Sequence, residues 1–139
     1  MEEIIAPIDR QLIKAELTKD AFLRYTNNGN NEVYLVNYHS APNIMQEIGR
    51  LREVTFRGAG GGTGLAIDID ENDTSLHNYD QLIAWNPEDQ EIIAGYRVIR
   101  CDKAKDSSGE FHLSTSHYFQ FSTDFVNNYL PYTIELGRS

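Results

Sequence analysis

Charged side chains inside apolar, strand-like segments are the clearest chemical signal in the sequence. Arg97 lies in the middle of one such segment, and Glu135 and Arg138 lie in the last one. A charged residue on a mostly buried strand needs an oppositely charged partner or a ligand. A regular strand directs Glu135 and Arg138 to opposite faces, whereas a bulge at Gly137 brings both to one side. Two interpretations stay open: a buried salt bridge without chemistry, and a carboxylate–guanidinium site for a substrate.

A second group of charges crowds the end of one predicted helix. Arg50, Arg52 and Arg57 all lie there, in a chain that is acidic elsewhere. The seven-residue interval from Arg50 to Arg57 places these two on one face, and Arg52 projects elsewhere. Basic side chains also stabilise a helix C-terminus through the helix dipole, so a structural role stays open beside a binding role.

A glycine-rich segment follows that helix. Residues 58–64 contain five of the ten glycines of the chain. A phosphate-binding loop joins a strand to a helix and carries a Gly-Lys-Ser/Thr sequence, and none of these features is present here. A flexible lid beside a site, or a plain loop, is therefore favoured over a nucleotide-binding loop.

Metal-binding patterns are weak. Asp68, Asp70 and Asn72 occupy positions 1, 3 and 5 of a calcium loop, but the glycine and the glutamate needed later in that loop are absent. The four histidines are far apart and lack ligand spacing. Cys101 follows an apolar strand, which is typical of a structural thiol. The sequence predicts a solvated acidic loop and no metal site.

Composition excludes several classes of protein. Net charge is -9, from 12 basic and 21 acidic residues, so a nucleic-acid partner is disfavoured. No apolar run approaches the roughly 20 residues of a membrane span. The start Met1-Glu2-Glu3 does not resemble a secretory signal, and a single cysteine cannot form an internal disulfide. These features predict a cytoplasmic protein, and a local basic patch leaves peripheral membrane association open.

The elements that must position these residues follow from apolar spacing and turn residues. Pro7, Thr18, Pro42 and Ser122 can each begin a helix, and the third of these helices extends to Phe56. Strands are predicted over residues 32–38, 81–86, 91–101 and 132–138, with a hairpin joining the middle two. We therefore expect a helical lead-in over 1–31 and a glycine-rich and acidic loop over 58–80. This order predicts one domain of the α+β (mixed α/β) class.

These segments together carry a resemblance to a known family. From residue 7 to the end, the set resembles the hemolysin-like N-acyltransferases of the GNAT superfamily. These are related to the first-step acyltransferases of ornithine-lipid and glycine-lipid synthesis, and more distantly to acyl-homoserine-lactone synthases. The amino-acid sequences of these motifs are most similar to those of the Bacteroidetes branch. The resemblance is carried by residues 48–57, the glycine-rich segment, Asp68-Ile69-Asp70, residues 81–85, Gly95-Tyr96-Arg97 and residues 135–139.

The resemblance implies a partial GNAT-like fold, with a central, mostly antiparallel sheet flanked by helices. It also implies transfer of a fatty acyl group to the amine of an amino acid, glycine in this branch. The acyl donor is a thioester on acyl carrier protein or coenzyme A, used as a co-substrate. Attack requires a neutral amine, so Glu135 is implied as the general base. Arg97 or Arg138 is implied as the clamp for the amino-acid carboxylate.

The resemblance also assigns residues to substrate and partner binding. Arg52 matches the arginine of an Arg-x-x-x-Phe helix pattern, which places Phe56 beside the acyl channel. The acidic loop and the strand entry of the family match Asp70, Asp73 and Asp80, which are expected to order the lid or position the ammonium group. Acyl carrier protein is acidic and needs a basic landing patch. That patch is expected to consist of Arg50, Arg57 and Arg100.

The chain departs from the family pattern at its end. In these enzymes the Glu-Leu-Gly-Arg-Ser strand lies near the middle of the fold, and the thioester-binding half follows it. We therefore expect residues 1–139 to be the N-terminal portion of one acyltransferase domain that is inactive alone. An unpaired final strand predicts strand-edge homodimers. The alternative is a non-catalytic ligand-binding or interaction module of the same α+β class.

Overall fold

A computed structural model describes residues 1–139. Four α-helices are present: Arg10–Glu16 (α1), Pro42–Gly58 (α2), Glu71–Thr74 (α3) and Thr123–Asn128 (α4). Five strands are present: Phe22–Tyr25 (β1), Glu32–Val36 (β2), Asp80–Asn86 (β3), Glu91–Arg100 (β4) and Ile134–Gly137 (β5). Short 3₁₀ turns cover Cys101–Ala104, Ser114–His117 and Leu130–Tyr132. No helix of the chain is both long and apolar enough to cross a bilayer.

The strands form one antiparallel sheet in the order β1-β2-β3-β4-β5. The register aligns Gln81 of β3 with Arg97 of β4, and Arg97 with Gly137 of β5. Residues directly opposite in a sheet point to the same face, and residues two apart in a strand do so as well. Gln81, Arg97 and Glu135, which is opposite Ile99, therefore share one side of the sheet. The predicted α+β architecture with a central antiparallel sheet and flanking helices is confirmed. β5 is an edge strand, and a homodimer through that edge stays a prediction.

Helix α2 covers the face of the sheet that carries Arg97. Pro42 begins this helix, and the Glu16 carboxylate accepts hydrogen bonds from its first free amides, those of Asn43 (3.0 Å) and Ile44 (2.8 Å). Alternate residues of β3 are buried against α2. The main core contains Ile13, Tyr34, Val36, Ala41, Ile44, Met45, Ile48, Ile83 and Trp85.

A second apolar cluster holds the segment between β4 and β5. Cys101 lies inside it, and burial raises the pKa of this thiol, which suits the predicted structural role better than a nucleophilic one. The cluster contains Tyr79, Ile99, Cys101, Ala104, Leu113 and Leu130. It fixes the turn at residues 114–117 against the end of the sheet.

Gly49 lets the acidic segment approach α2 closely. The Asp68 amide donates to the Gly49 carbonyl oxygen at 3.1 Å. A Cβ atom on Gly49 would lie 2.7 Å from the side chains of both Ile67 and Ile69. Because Gly49 has no side chain, the segment that carries Asp68 and Asp70 can pack directly against α2.

The glycine-rich segment folds onto a buried carboxylate of α2. Glu53 accepts hydrogen bonds from the Thr63 hydroxyl (2.7 Å), the Thr63 amide (3.0 Å) and the Gly64 amide (2.9 Å). Together with the Arg57 guanidinium, these donors lower the pKa of Glu53 to about 2. The loop amides therefore bind an internal anion, which supports the loop interpretation over a nucleotide site.

Two local predictions are wrong. The helix expected from Thr18, within the predicted helical lead-in, is replaced by strand β1. The Phe22 ring packs edge-on against Tyr34 at 5.6 Å between centroids, and the turn at residues 27–31 turns the chain back as a hairpin. The predicted loop over 58–80 also contains helix α3, which begins at a capping box formed by Asp70 and Asp73.

Candidate active site

Charged side chains from five elements meet where α2 and the acidic segment cover the end of the sheet. We call this group the arginine–aspartate cluster. It contains three arginines and three aspartates, so its formal charges balance, together with one glutamine. Its members are Arg52, Asp68, Asp70, Asp73, Gln81, Arg97 and Arg138.

Arg52 joins α2 to the sheet through a closed triangle of hydrogen bonds. It donates to Asp73 at 2.9 Å and to Gln81 at 2.8 Å, and the Gln81 amide donates to the second Asp73 oxygen at 2.9 Å. All three side chains are buried. The Asp73 carboxylate also accepts from the Asp70 amide at 3.1 Å. This triangle is a rigid support, because a buried pair with complete hydrogen bonding has one favourable geometry.

Arg97 is the most enclosed cation of the cluster, with 3% of its surface exposed. One of its nitrogens lies 2.8 Å from both Asp70 oxygens, and the other donates to the Ser114 hydroxyl at 3.1 Å. Its guanidinium also lies over the Tyr79 ring, 5.0 Å from the centroid. Burial opposes charge on Arg97, but Asp70 and Asp73 outweigh burial and raise its pKa. The predicted need of this residue for a charged partner is therefore met inside the protein.

Arg138 lies just beyond β5 and is the accessible cation of the cluster. Its Nη2 is 3.3 Å from Asp68 Oδ1 and 3.4 Å from Asp70 Oδ2, and these two ion pairs join it to the cluster. The backbone of Arg138 adopts a left-handed conformation, with φ at 53°. This turn, rather than a bulge at Gly137, brings Arg138 to the side of the sheet that carries Glu135. The predicted convergence of the two residues therefore occurs by a different local geometry.

Glu135 is engaged by hydrogen-bond donors on both oxygens. One oxygen accepts from the Tyr79 hydroxyl and from the Ser114 amide at 3.1 Å. The other accepts from the Thr115 hydroxyl and from the Thr115 amide at 3.2 Å. Burial and the Glu135 carboxylate raise the pKa of Tyr79, so this phenol stays a donor. Glu135 thus holds the 114–117 turn in place. To act as a general base, Glu135 must first lose one of these hydrogen bonds.

An apolar cleft of about 230 Å³ opens beside the cluster, between α2 and strands β3 and β4. Ile48 and Phe56 line it from the helix, and Ile83 lines it from the sheet. Arg52 and Arg138 are its cationic lining residues. Phe56, which the resemblance placed beside an acyl channel, and Arg52 of the same helix pattern both line this cleft. An apolar space that ends at cations can hold a chain with an acidic or polar head.

Three buried polar atoms around the cluster lack a hydrogen-bond partner. They are Nε of Arg52, Nε of Arg97 and Oδ2 of Asp68. Buried polar groups are nearly always paired, so three exceptions in one region distinguish it from an ordinary structural ion network. Sequence reasoning gave Asp68 no role in a site and missed Gln81. A polar residue alternating with Ile83 and Trp85 was the available signal for the latter.

The remaining residues predicted from the resemblance lie outside the cluster. Asp80 begins β3 and accepts a hydrogen bond from Asn37 at 3.3 Å. The three predicted docking arginines each have an internal carboxylate partner. These pairs are Arg50–Glu47 at 2.6 Å, Arg57–Glu53 at 2.8 Å and Arg100–Asp102 at 2.6 Å. Arg100 is the most accessible of the three, with 61% of its side chain exposed.

A separate group could hold a metal ion at the surface. Ligand atoms of Asp106, Glu110 and His112 lie within 4.8 Å of one another. The Asp106 carboxylate already accepts from Ser108, from the Glu110 amide and from His112, and these bonds lower its pKa. These hydrogen bonds stabilise an exposed turn.

Comparisons with known proteins agree with the fold. The family described as "Acetyltransferase (GNAT) domain" matches residues 51–139. Proteins of Bacteroides thetaiotaomicron and Phocaeicola vulgatus, each named glycine N(alpha)-acyltransferase, are 58% and 55% identical to the chain over 140 residues. The alignments cover all of this chain but only 42% and 43% of those two proteins. No solved structure is significantly similar to the chain. The segment matched by this family is more than half of the chain and contains the whole cluster and the last three strands of the sheet. The chain therefore belongs to the GNAT acetyltransferase family.

Proposed function

We propose that this chain supplies the amine-binding part of an N-acyltransferase. The enzyme would move a fatty acyl group from a thioester, on acyl carrier protein or coenzyme A, to the amino group of glycine in aminolipid synthesis. The names of the two similar bacterial proteins support the reaction. The thioester-binding part is proposed to lie in the portion of those relatives that this chain does not cover.

The observation that carries the proposal is the partly exposed pair of Arg138 and Asp70. Their side chains are 31% and 32% exposed, carry opposite charges and lie 3.4 Å apart. Arg138 also lines the apolar cleft. A free amino acid is a zwitterion. When it binds, Arg138 can leave Asp70 and pair with the substrate carboxylate, and Asp70 can pair with the substrate ammonium group. An acyl chain in the cleft would then lie next to the amine.

We assign different roles to the two arginines that were predicted as carboxylate clamps. Arg138 is our clamp for the substrate carboxylate, because its own ion pairs are long and accessible. Arg97 is buried and bound to both oxygens of Asp70, so it positions Asp70 rather than the substrate. Burial tends to raise the pKa of Asp70, but Arg97 and Arg138 outweigh it and lower that pKa. Asp70 therefore stays anionic, as an ammonium partner must.

We also propose that acyl carrier protein docks at Arg50, Arg57 and Arg100. Each of these arginines must exchange its internal carboxylate partner for an acidic group of the carrier protein. Arg100 can do so most readily, because it is the most exposed and its pair with Asp102 is weakly held in water.

The test uses the chain joined to the remainder of the Bacteroides relative. Purified protein is given an acyl thioester and glycine, and N-acylglycine is measured by mass spectrometry. Arg138→Gln is expected to raise the KM for glycine roughly 10- to 100-fold, since a charged hydrogen bond contributes about 1.5–3 kcal/mol. The matched control is Arg24→Gln, an exposed arginine on β1 that contacts only neighbouring residues.

Two outcomes would overturn the proposal. The first is no N-acylglycine from either carrier-protein or coenzyme A thioesters. The second is an unchanged KM for glycine in Arg138→Gln. Glycine binding to the 139-residue chain by calorimetry, with no transfer by the fused protein, would favour the alternative of a non-catalytic binding module.

A further inference from the structure

We propose that Asp68 accepts the proton that the substrate amine must lose before it attacks the thioester. The inference rests on the proposed function and adds a catalytic residue to it. It would place the proton acceptor on the acidic segment beside α2 rather than on β5.

Asp68 is the aspartate of the cluster that has a carboxylate oxygen without a hydrogen-bond partner. It is 3% exposed, and its Oδ1 lies 3.3 Å from Arg138 while its Oδ2 has no partner. Asp73 uses both oxygens in the triangle with Arg52 and Gln81. Asp70 has both oxygens on Arg97. An ionised carboxylate accepts several hydrogen bonds, so an empty buried oxygen is a place for an N–H group.

The charges around Asp68 suit a proton acceptor. Arg138 and Arg52 attract a negative charge on it, whereas Asp70 and Asp73 repel one. Burial is the largest influence and raises the pKa of Asp68, in contrast to the lowered pKa of Asp70. General bases work best when their pKa lies near the working pH, so the raised value favours Asp68 over Asp70 for proton transfer.

Substrate binding would deliver the amine to this oxygen. When the amino-acid carboxylate takes Arg138, the single ion pair between that arginine and the Asp68 carboxylate opens. In glycine, one methylene separates the carboxylate from the nitrogen, so the amine comes to lie beside the carboxylate that Arg138 has released. Asp68 Oδ2 can then accept one N–H, while Asp70 holds another.

The ammonium group gives one proton to Asp68, and the freed nitrogen lone pair attacks the thioester carbonyl carbon. The new C–N bond persists as the C–S bond breaks. The thiolate takes a second proton from the nitrogen, and Asp68 later returns its proton to solvent. The products are an N-acyl amino acid and a thiol.

The experiment compares glycine with aminooxyacetate in the fused protein described above. Aminooxyacetate has the same carboxylate, but its nitrogen is already unprotonated at neutral pH, so it needs no base for that first step. Asp68→Asn is expected to lower kcat with glycine roughly 100-fold or more, and to leave the rate with aminooxyacetate near that of the unmodified protein. Asp20→Asn, at an exposed aspartate, is the matched control and should change neither rate.

A purely structural role would lower both rates together, and that result, or an undiminished rate with glycine, would overturn the inference. The pH profile gives a second measurement that needs no variant. In the unmodified protein, the acidic limb of kcat/KM should be present with glycine and disappear with aminooxyacetate; an identical limb with both substrates would contradict the role of Asp68. Loss of all transfer in the unmodified protein would instead refute the proposed function.

Discussion

Replacing Arg97 with methionine removes the cation at the centre of the arginine–aspartate cluster and keeps an apolar stem of similar length. The side chain of Arg97 is 4% exposed, so water cannot replace the lost charge at Asp73, which is fully buried 3.8 Å away. Removing one partner of a buried ion pair costs about 3–5 kcal/mol. Asp70 is 32% exposed and can regain water, which places the expected cost near the lower limit, at about 3 kcal/mol.

The assay is urea unfolding followed by the fluorescence of Trp85, the single tryptophan, which is buried in the main core. A loss of about 3 kcal/mol corresponds to a fall in Tm of roughly 10 °C for a chain of this size. Arg100→Met is the matched control, because its ion pair with Asp102 is exposed and contributes at most about 1 kcal/mol.

A double-mutant cycle tests the reason for the loss. If Arg97 stabilises the fold mainly by neutralising Asp70, then Asp70→Asn should cost at least about 1 kcal/mol less in the Arg97→Met protein than in the unmodified protein. Two results would refute this reasoning. One is a loss of less than about 1 kcal/mol in the free energy of unfolding of Arg97→Met, and the other is a double mutant whose loss equals the sum of the two single losses. The small loss would mean that packing of the stem, rather than charge, holds this strand, and additive costs would mean that Asp70 is not the carboxylate that Arg97 stabilises.

The remaining predictions concern the two places where the loops close on α2. Gly49→Ala should destabilise the chain by about 1–3 kcal/mol in a thermal melt, because its Cβ would lie 2.7 Å from Ile69; Gly58→Ala, with open space around it on the same helix, should be neutral or stabilising. Equal effects would contradict the close approach. The pKa of Glu53 falls from 4.5 to about 2 in the fold, so its stabilising effect is complete above pH 4.5 and is lost as pH falls through 2. The NMR shift of the Gly64 amide should therefore titrate near 2, and a midpoint near 4.5 would disprove the buried hydrogen bonds.

The strand pattern predicted the sheet side of the site well. An alternating apolar strand that contains Arg97 requires a partner for the guanidinium, and the structure provides Asp70. The last strand likewise brings Glu135 and Arg138 to one side, although through the backbone of Arg138. Period-two patterns carry this information because they depend only on neighbouring residues.

Contacts between distant segments could not be predicted in the same way. The place of Asp68 depends on how closely residues 67–69 approach Gly49, which no local pattern records. Strand β1 is only four residues long, and a short apolar run does not distinguish a helix from a strand. Its pairing with β2 decided the outcome, as tertiary contacts commonly override local preference.

The distribution of ion-pair lengths suggests why the cluster is built from charges at all. Well-packed apolar side chains would join α2 to the sheet at least as stably as buried ion pairs. The closest contacts of the buried Arg52 and Arg97 to aspartates are 2.8–2.9 Å, whereas those of the partly exposed Arg138 are 3.3–3.4 Å. A rigid interior therefore holds Asp70 and Asp73 in place, and the more loosely bound Arg138 pairs with Asp68 and Asp70. That gradient is what a binding site for a zwitterion requires, since its fixed groups need support from behind and its movable group needs weak bonds that a substrate can replace.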